Sequence, residues 1–212
     1  SMIAELTGMD VANCSLYDGV TALSEAALMC YRINKKDVFI IPENISYEKK
    51  SVLKNYLKGP GIKIEEVSFD RKTGQIDIAD LKEKISSDAS GVYIENPNYF
   101  GIFEEKIDEI KNIIKESNAI FVVGVDPVSL GIVKNPGEYG ADIVIGEAGC
   151  FGNPVDFGGS TLGLFSCRKK FLRQMPGRII GLTKDEDQNQ AFCMALQTRE
   201  QHIRRGRATS NI

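Results

Sequence analysis

The chain has 212 residues, of which 42% are hydrophobic and 26% charged, and a formal net charge of −3. These values fit one sizeable globular domain, and the slightly acidic balance supplies no basic field to gather nucleic acid or an anionic membrane surface. No apolar run approaches the roughly 20 residues of a membrane span and no basic-then-apolar leader opens the chain, so a cytoplasmic protein without nucleic-acid or membrane partners is expected.

In chain order, Asn13, Ser15 and Asp18 are helix-capping residue types ahead of an Ala- and Leu-rich stretch. Ala22, Leu23, Ala26, Ala27 and Cys30 recur at three- and four-residue steps, which predicts a helix with one buried face. Residues 37–41 (DVFII) read as a short strand. Ser46 caps an amphipathic helix over 47–57, stopped by Gly59-Pro60-Gly61. Residues 62–69 alternate apolar and charged side chains, the pattern of a half-exposed edge strand. A turn at 71–74 precedes a short helix that Asp77 caps and that runs to Ile85.

Residues 91–95 (GVYIE) form the next strand and end in Asn96-Pro97-Asn98-Tyr99-Phe100-Gly101, where Pro97 biases Asn96 toward an extended backbone. A helix over 106–117 presents Ile107, Ile110, Ile113 and Ile114. Residues 119–125 (AIFVVGV) are continuously apolar, as in a strand covered on both faces, and end at Asp126-Pro127. One helical turn is expected within 128–133. Residues 142–167 then read as a buried strand, a crossing rich in glycine (Gly146, Gly149, Gly152, Gly158, Gly159) and a second strand. A short helix or turn over 168–175, an extended segment over 177–182 and a helix over 187–205 with Phe192, Leu196 and Ile203 on its face complete the chain. This alternation predicts an α/β fold, a mostly parallel sheet with helices on both faces.

The chemistry-bearing signals are sparse. Neither G-x-G-x-x-G nor G-x-x-x-x-G-K-[ST] occurs, which argues against a dinucleotide or ATP site. Five scattered cysteines without a C-x-x-C pair, and His202 as the sole histidine, read as reduced thiols and no metal centre. Asp126 stands at a strand's C-terminal end, where open α/β sheets hold ligands, or forms a turn before Pro127. The loop from Asn96 to Gly101 offers amides and a ring as a wall for a planar ligand, or is an ordinary Pro-Asn-Gly loop. A phosphate at the helix start after Ser15 would meet Asp18 as a like charge, so capping is the favoured role there. The basic run from Arg199 to Arg207 reads as a solvated helix end or an anion-binding tail.

The stretches LTGMDVANCSLYDGVTALSEA, ENPNYFG, GEAGCFGNPVDFGGSTLG, MPGRIIG and TREQHIRRGRATSNI resemble the glycine cleavage system P-protein family, in particular the form called glycine dehydrogenase (decarboxylating) subunit 1, the amino-terminal half of the split protein. The resemblance implies the large domain of fold-type-I, pyridoxal-phosphate-dependent enzymes. It casts residues 3–212 as that domain, without an amino-terminal segment and a carboxyl-terminal small domain; Ser1-Met2 resembles a cloning scar.

In the catalytic half of such proteins a lysine precedes the Gly-rich crossing. The matching slot here is Gly149, within Glu147-Ala148-Gly149-Cys150-Phe151, and no lysine lies between Lys134 and Lys169. The resemblance therefore implies no catalytic residue and no cofactor in this chain. Pyridoxal phosphate is placed in a lysine-bearing partner, subunit 2, with the lipoylated H-protein as a transient partner, and self-pairing of the domain is also compatible. Asp126 matches the carboxylate that pairs with the pyridine nitrogen. Asn13, Ser15, Tyr17, Asp18, Asn96, Asn98, Tyr99 and Phe100 are the candidates for lining the shared active site. The competing expectation is an independently active enzyme with Lys134, Lys169 or Cys150 as its nucleophile.

Overall fold

A computed structural model describes residues 2–196 and 201–208. The elements follow as α1 (Met2–Thr7), β1 (Val11–Ala12), α2 (Gly19–Asn34), β2 (Val38–Pro42), α3 (Tyr47–Lys58), β3 (Lys63–Val67), α4 (Ile78–Lys84), β4 (Ala89–Glu95), α5 (Ile107–Ser117), β5 (Ile120–Val125), β6 (Ile143–Glu147), β7 (Gly163–Cys167), β8 (Ile179–Lys184), β9 (Gln190–Ala195) and α6 (Gln201–Arg204). Short 3₁₀ turns occupy Ser129–Gly131 and Lys169–Gln174, where one helical turn and a short helix or turn, respectively, were expected.

The helix starts are set by side-chain caps. Asp18 accepts the Thr21 N–H at 2.6 Å, Ser46 accepts that of Lys49 at 3.3 Å, and Asp77 accepts those of Ala79 and Asp80. α2 ends at Lys35, whose left-handed backbone (φ 62°) lets its N–H return to the Tyr31 carbonyl. α2 is buried well beyond one stripe, because it packs against α3, β4, β6 and β7.

Seven strands form one sheet in the order β1-β7-β6-β5-β4-β2-β3. β2 pairs in parallel with β3 and β4, as do β4 with β5 and β5 with β6; β7 runs antiparallel to β6 and to β1. β3 lies at the edge and is half-exposed, as its alternating sequence requires. Strand alternation divides the core in two. Phe39, Ile41, Tyr93, Val122, Ile143, Ile145 and Phe165 face α2 and α3, whereas Ile40, Val92, Ile94, Phe121, Val123 and Val144 share a cluster with Ile110, Ile113 and Ile114 of α5 and Leu81 of α4. Each fully buried large side chain contributes roughly 1.5–3 kcal/mol of transfer free energy.

The expected helix over 187–205 is a correction. Residues 190–195 are β9, an antiparallel partner of β8 from Ile179↔Ala195 to Lys184↔Gln190. The connection is an Asp/Asn turn: Asp185 accepts the Asn189 N–H at 2.9 Å and Gln188 adopts a left-handed φ of 68°. The helical spacing of Phe192 and Leu196 competed with the two-residue alternation of Phe192 and Met194, and the hairpin partner decided between them. Gln201–Arg204 is helical and its side chains are exposed, but Arg199 and Glu200 of the basic run lie outside the described residues. No described helix is long and apolar enough to cross a membrane, and among the described residues no group of three or more His, Cys, Asp or Glu is placed to hold a metal ion.

Candidate functional site

The order of strand addition reverses at β2, with β3 on one side of it and β4, β5 and β6 on the other, and a cleft of about 540 Å³ opens at the C-terminal ends of the parallel strands, where this topology places ligand sites. Three carboxylates project from successive strand ends: Glu95 closes β4, Asp126 follows β5 and Glu147 closes β6. Lys49, in the first turn of α3, is the one lysine among the lining residues.

The cleft floor is a bonded network. Glu95, only 6% exposed, accepts from the Lys49 ammonium at 2.5 Å and from the Tyr93 hydroxyl at 2.9 Å on the same oxygen. Burial, followed by the neighbouring Glu95 charge, pushes the Tyr93 phenol well above its ordinary range, so it stays a proton donor to Glu95. β5 accommodates this ring through Gly124, where a Cβ would lie 2.2 Å from the Tyr93 oxygen.

The wall beside α2 is built differently. Glu147 is solvent-exposed, yet its carboxylate collects three backbone N–H donors. Gly19, the first residue of α2, donates to Oε2 at 2.9 Å; Leu162 and Gly149 donate to Oε1 at 2.7 and 3.3 Å. Asp18 occupies the cap of the same helix. The end that carries the positive pole of the α2 dipole thus already faces two carboxylates of this chain.

Of the candidate residues, Asn98, Tyr99 and Asp126 line the cleft. Asn98 also holds its own loop together, donating to the Gly74 carbonyl at 2.8 Å and accepting from Phe100 and Ile102. Asp126 accepts the Val128 N–H at 3.0 Å, so the turn-forming role is realised while the residue still faces the cleft. The remaining candidates, Asn13, Ser15, Tyr17, Asp18, Asn96 and Phe100, are not among the lining residues. Asn13 donates to the Pro176 carbonyl, and Asn96, followed by a cis bond to Pro97, accepts the Glu104 N–H. Phe100 packs on Phe69 and Tyr99, with ring centroids 5.4 and 5.9 Å apart. Lys49, Tyr93, Glu95 and Glu147 were missed. A signal for two of them was present, since Glu95 and Glu147 end apolar strands just as Asp126 does.

Neither Lys134 nor Lys169 lines the cleft. Cys150 lies in the turn after β6, but burial first and then the nearby Asp126 and Glu147 charges raise its thiol pKa, the opposite of what an activated nucleophile needs.

Among solved structures, a glycine decarboxylase (P-protein) of the glycine cleavage system, in inhibitor-bound form, superposes with a TM-score of 0.91 at 36% identity, covering 100% of this chain and 47% of that one. A sphingosine-1-phosphate lyase of Burkholderia pseudomallei K96243 shares the fold alone, at TM-score 0.62 and 14% identity over 91% of this chain and 48% of the other. The fold class is that of the fold-type-I, pyridoxal-phosphate-dependent enzymes. Within it, the profile of the glycine cleavage system P-protein matches residues 1–212, and the chain belongs to that family. It is 58% identical to the probable glycine dehydrogenase (decarboxylating) subunit 1 of Thermococcus onnurineus (strain NA1), over 100% of this chain and 48% of that relative. The counterpart from Saccharolobus solfataricus is 49% identical over 100% of this chain and 47% of its own length. The chain spans about half the length of the curated relatives it matches.

Proposed function

We propose that this chain is the cofactor-free side of a P-protein active site. In this reading, residues 3–212 are the large domain of a subunit 1. They line and steady the active site of a lysine-bearing partner, subunit 2, in an assembly that decarboxylates glycine and passes the aminomethyl group to the lipoyl arm of the H-protein. One observation carries the reading: the turn after β6, Ala148-Gly149-Cys150-Phe151, holds no amine, and Glu147 beside it already fills the amide cluster at the start of α2.

Pyridoxal phosphate belongs to the fold class, but these residues do not fit it. Gly149 offers no amine. The one lining lysine, Lys49, is committed to buried Glu95. A phosphate at the α2 N-terminus would meet the carboxylates of both Asp18 and Glu147. Exposed Tyr17, Tyr99, Phe100, Phe151, Val155 and Phe157 sit on the loops around the cleft, which suits a face covered by another subunit. The alternative of an independently active enzyme lacks a placed nucleophile, given the positions of Lys134 and Lys169 and the raised Cys150 thiol.

The test uses the purified full-length protein. Incubated with pyridoxal phosphate and reduced with borohydride, it should yield no pyridoxyl-lysine by peptide mapping. Glycine decarboxylation should require both this chain and the lysine-bearing subunit. A stoichiometric adduct on one lysine of this chain would overturn the proposal.

A further inference from the structure

The β8–β9 hairpin stands apart from the seven-stranded sheet. Its root is anchored: Ile179 is buried in the core cluster on α2, Ala195 and Leu196 pack against that cluster, and the Arg178 carbonyl accepts the Cys14 N–H at 2.8 Å. Beyond the root, strand alternation puts Ile180 and Leu182 of β8 on one face with their direct partners Met194 and Phe192 of β9. Ile180 is 47% exposed, Leu182 69%, Phe192 67% and Met194 38%. A two-stranded hairpin is marginal alone in water, and an apolar face of four large side chains calls for cover. None of these residues lines the cleft, so closing the cleft does not by itself cover them.

Charge along the hairpin points to what covers it. The tip carries Asp185, Glu186 and Asp187, all exposed, with Lys184 as the neighbouring cation; exposed Arg178 stands at the root. A six-residue strand spans about 20 Å, so Arg178 does not reach Glu186 or Asp187 of its own hairpin. We infer that the hairpin joins two copies of this chain: their Ile180, Leu182, Phe192 and Met194 faces pack together with the hairpins antiparallel, the acidic tip of each against Arg178 of the other. A two-fold axis between the cross-strand pairs sets Ile180 and Met194 of one copy over Leu182 and Phe192 of its mate, and it makes both tip-to-root contacts at once. A parallel arrangement would press acid on acid. A dissimilar partner would need no such self-complementarity. Four large side chains per copy form the core of a small interface, below about 1,200 Å² in total, which sets the expected dissociation constant in the micromolar range. This contact is separate from the cofactor-free reading and does not depend on it.

The experiment is sedimentation velocity of the full-length chain alone, from about 1 to about 100 μM, a range that brackets a micromolar dissociation constant. Wild type should pass from monomer to dimer. Leu182→Glu, which places a charge in the centre of the contact, should weaken the dimer at least about tenfold. Reversing charge at the tip (Glu186→Lys with Asp187→Lys) or at the root (Arg178→Glu) should each weaken it about three- to tenfold, the size expected of exposed ion pairs made twice. An equimolar mixture of the tip-reversed and root-reversed chains should recover the wild-type affinity, because in the mixed pair every tip again meets a root of opposite sign. The charge variants change only exposed side chains, so they decide the matter even if Leu182→Glu fails to fold. A wild-type chain that stays monomeric, a folded Leu182→Glu that dimerises like wild type, or a mixture that shows no recovery overturns the inference. So does a Leu182→Glu chain that keeps its self-association and loses only its binding to the lysine-bearing subunit.

Discussion

Where β6 begins, Arg168 donates to the carbonyls of Ala141 at 3.0 Å and Gly8 at 3.1 Å and to that of Gly137, closing the gap between α1, the loop before β6 and the end of β7. Where β6 finishes, Glu147 receives three amides at the edge of an open cleft, and Glu95 and Asp126 stand beside it. Both ends thus use one charged side chain to gather backbone groups from distant segments. At the first end the charge is a cation satisfying carbonyls, and its role ends with the fold. At the second it is an anion satisfying amides in a place where a ligand could compete for them. The same device closes one end of the sheet and lines an open cleft at the other.

If that contrast is right, the two ends respond unequally to substitution. Arg168→Ala should cause the largest loss, on the order of 3–4 kcal/mol, because three carbonyls lose a charged donor at once. Urea unfolding of the purified chain measures it, and a loss under about 1 kcal/mol would show that water replaces the guanidinium without difficulty. At the cleft end, Gly124→Ala pushes a methyl group to 2.2 Å from the Tyr93 oxygen and should cost about 2 kcal/mol as overpacking. Combining it with Tyr93→Phe removes the nearest atom, so the double variant should lose less than the sum of the two single variants. Additive losses would mean that the ring moves aside freely and that the floor is softer than the bonded network implies.

Much of this architecture could be read from residue order, and the reason is locality. Caps at Asp18, Ser46 and Asp77 act within three residues, and the apolar run from Ile120 to Val125 declares a strand covered on both faces without reference to any partner. The site was legible only in part. Asp126, Asn98 and Tyr99 announce themselves by following a strand, but the role of Glu147 depends on Gly19, 128 positions away in sequence. Lys49 meets Glu95 across 46 positions. Asn13 and Ser15 carry the residue types of a binding loop but are not among the cleft-lining residues. β9 was misread for a related reason: a strand's hydrogen bonds come from elsewhere in the chain, so local periodicity alone cannot separate it from a helix.

The smallest expected effect also has the opposite sign and tests how readily the cleft end tolerates charge. Glu104 supports the loop from Asn96 and is buried, its two oxygens each 3.2 Å from the Ile76 N–H. Burial raises its carboxyl above the ordinary range, while the Ile76 N–H and Asn98 pull the other way. A carboxyl whose folded pKa is raised costs nothing while it is neutral in both states, below the unfolded value. Stability is lost as pH rises through the folded value, because the buried group must then ionise. Glu104→Gln keeps an acceptor for Ile76 and never ionises, so it should gain about 0.5 kcal/mol near neutral pH and nothing in acid. Urea midpoints of both proteins at about pH 4 and about pH 8 bracket the change from the ordinary carboxylate pKa upward. A gain larger at the acid end would mean that the Ile76 amide outweighs burial, and that this carboxylate is welcomed by the loop as Glu147 is by its three amides.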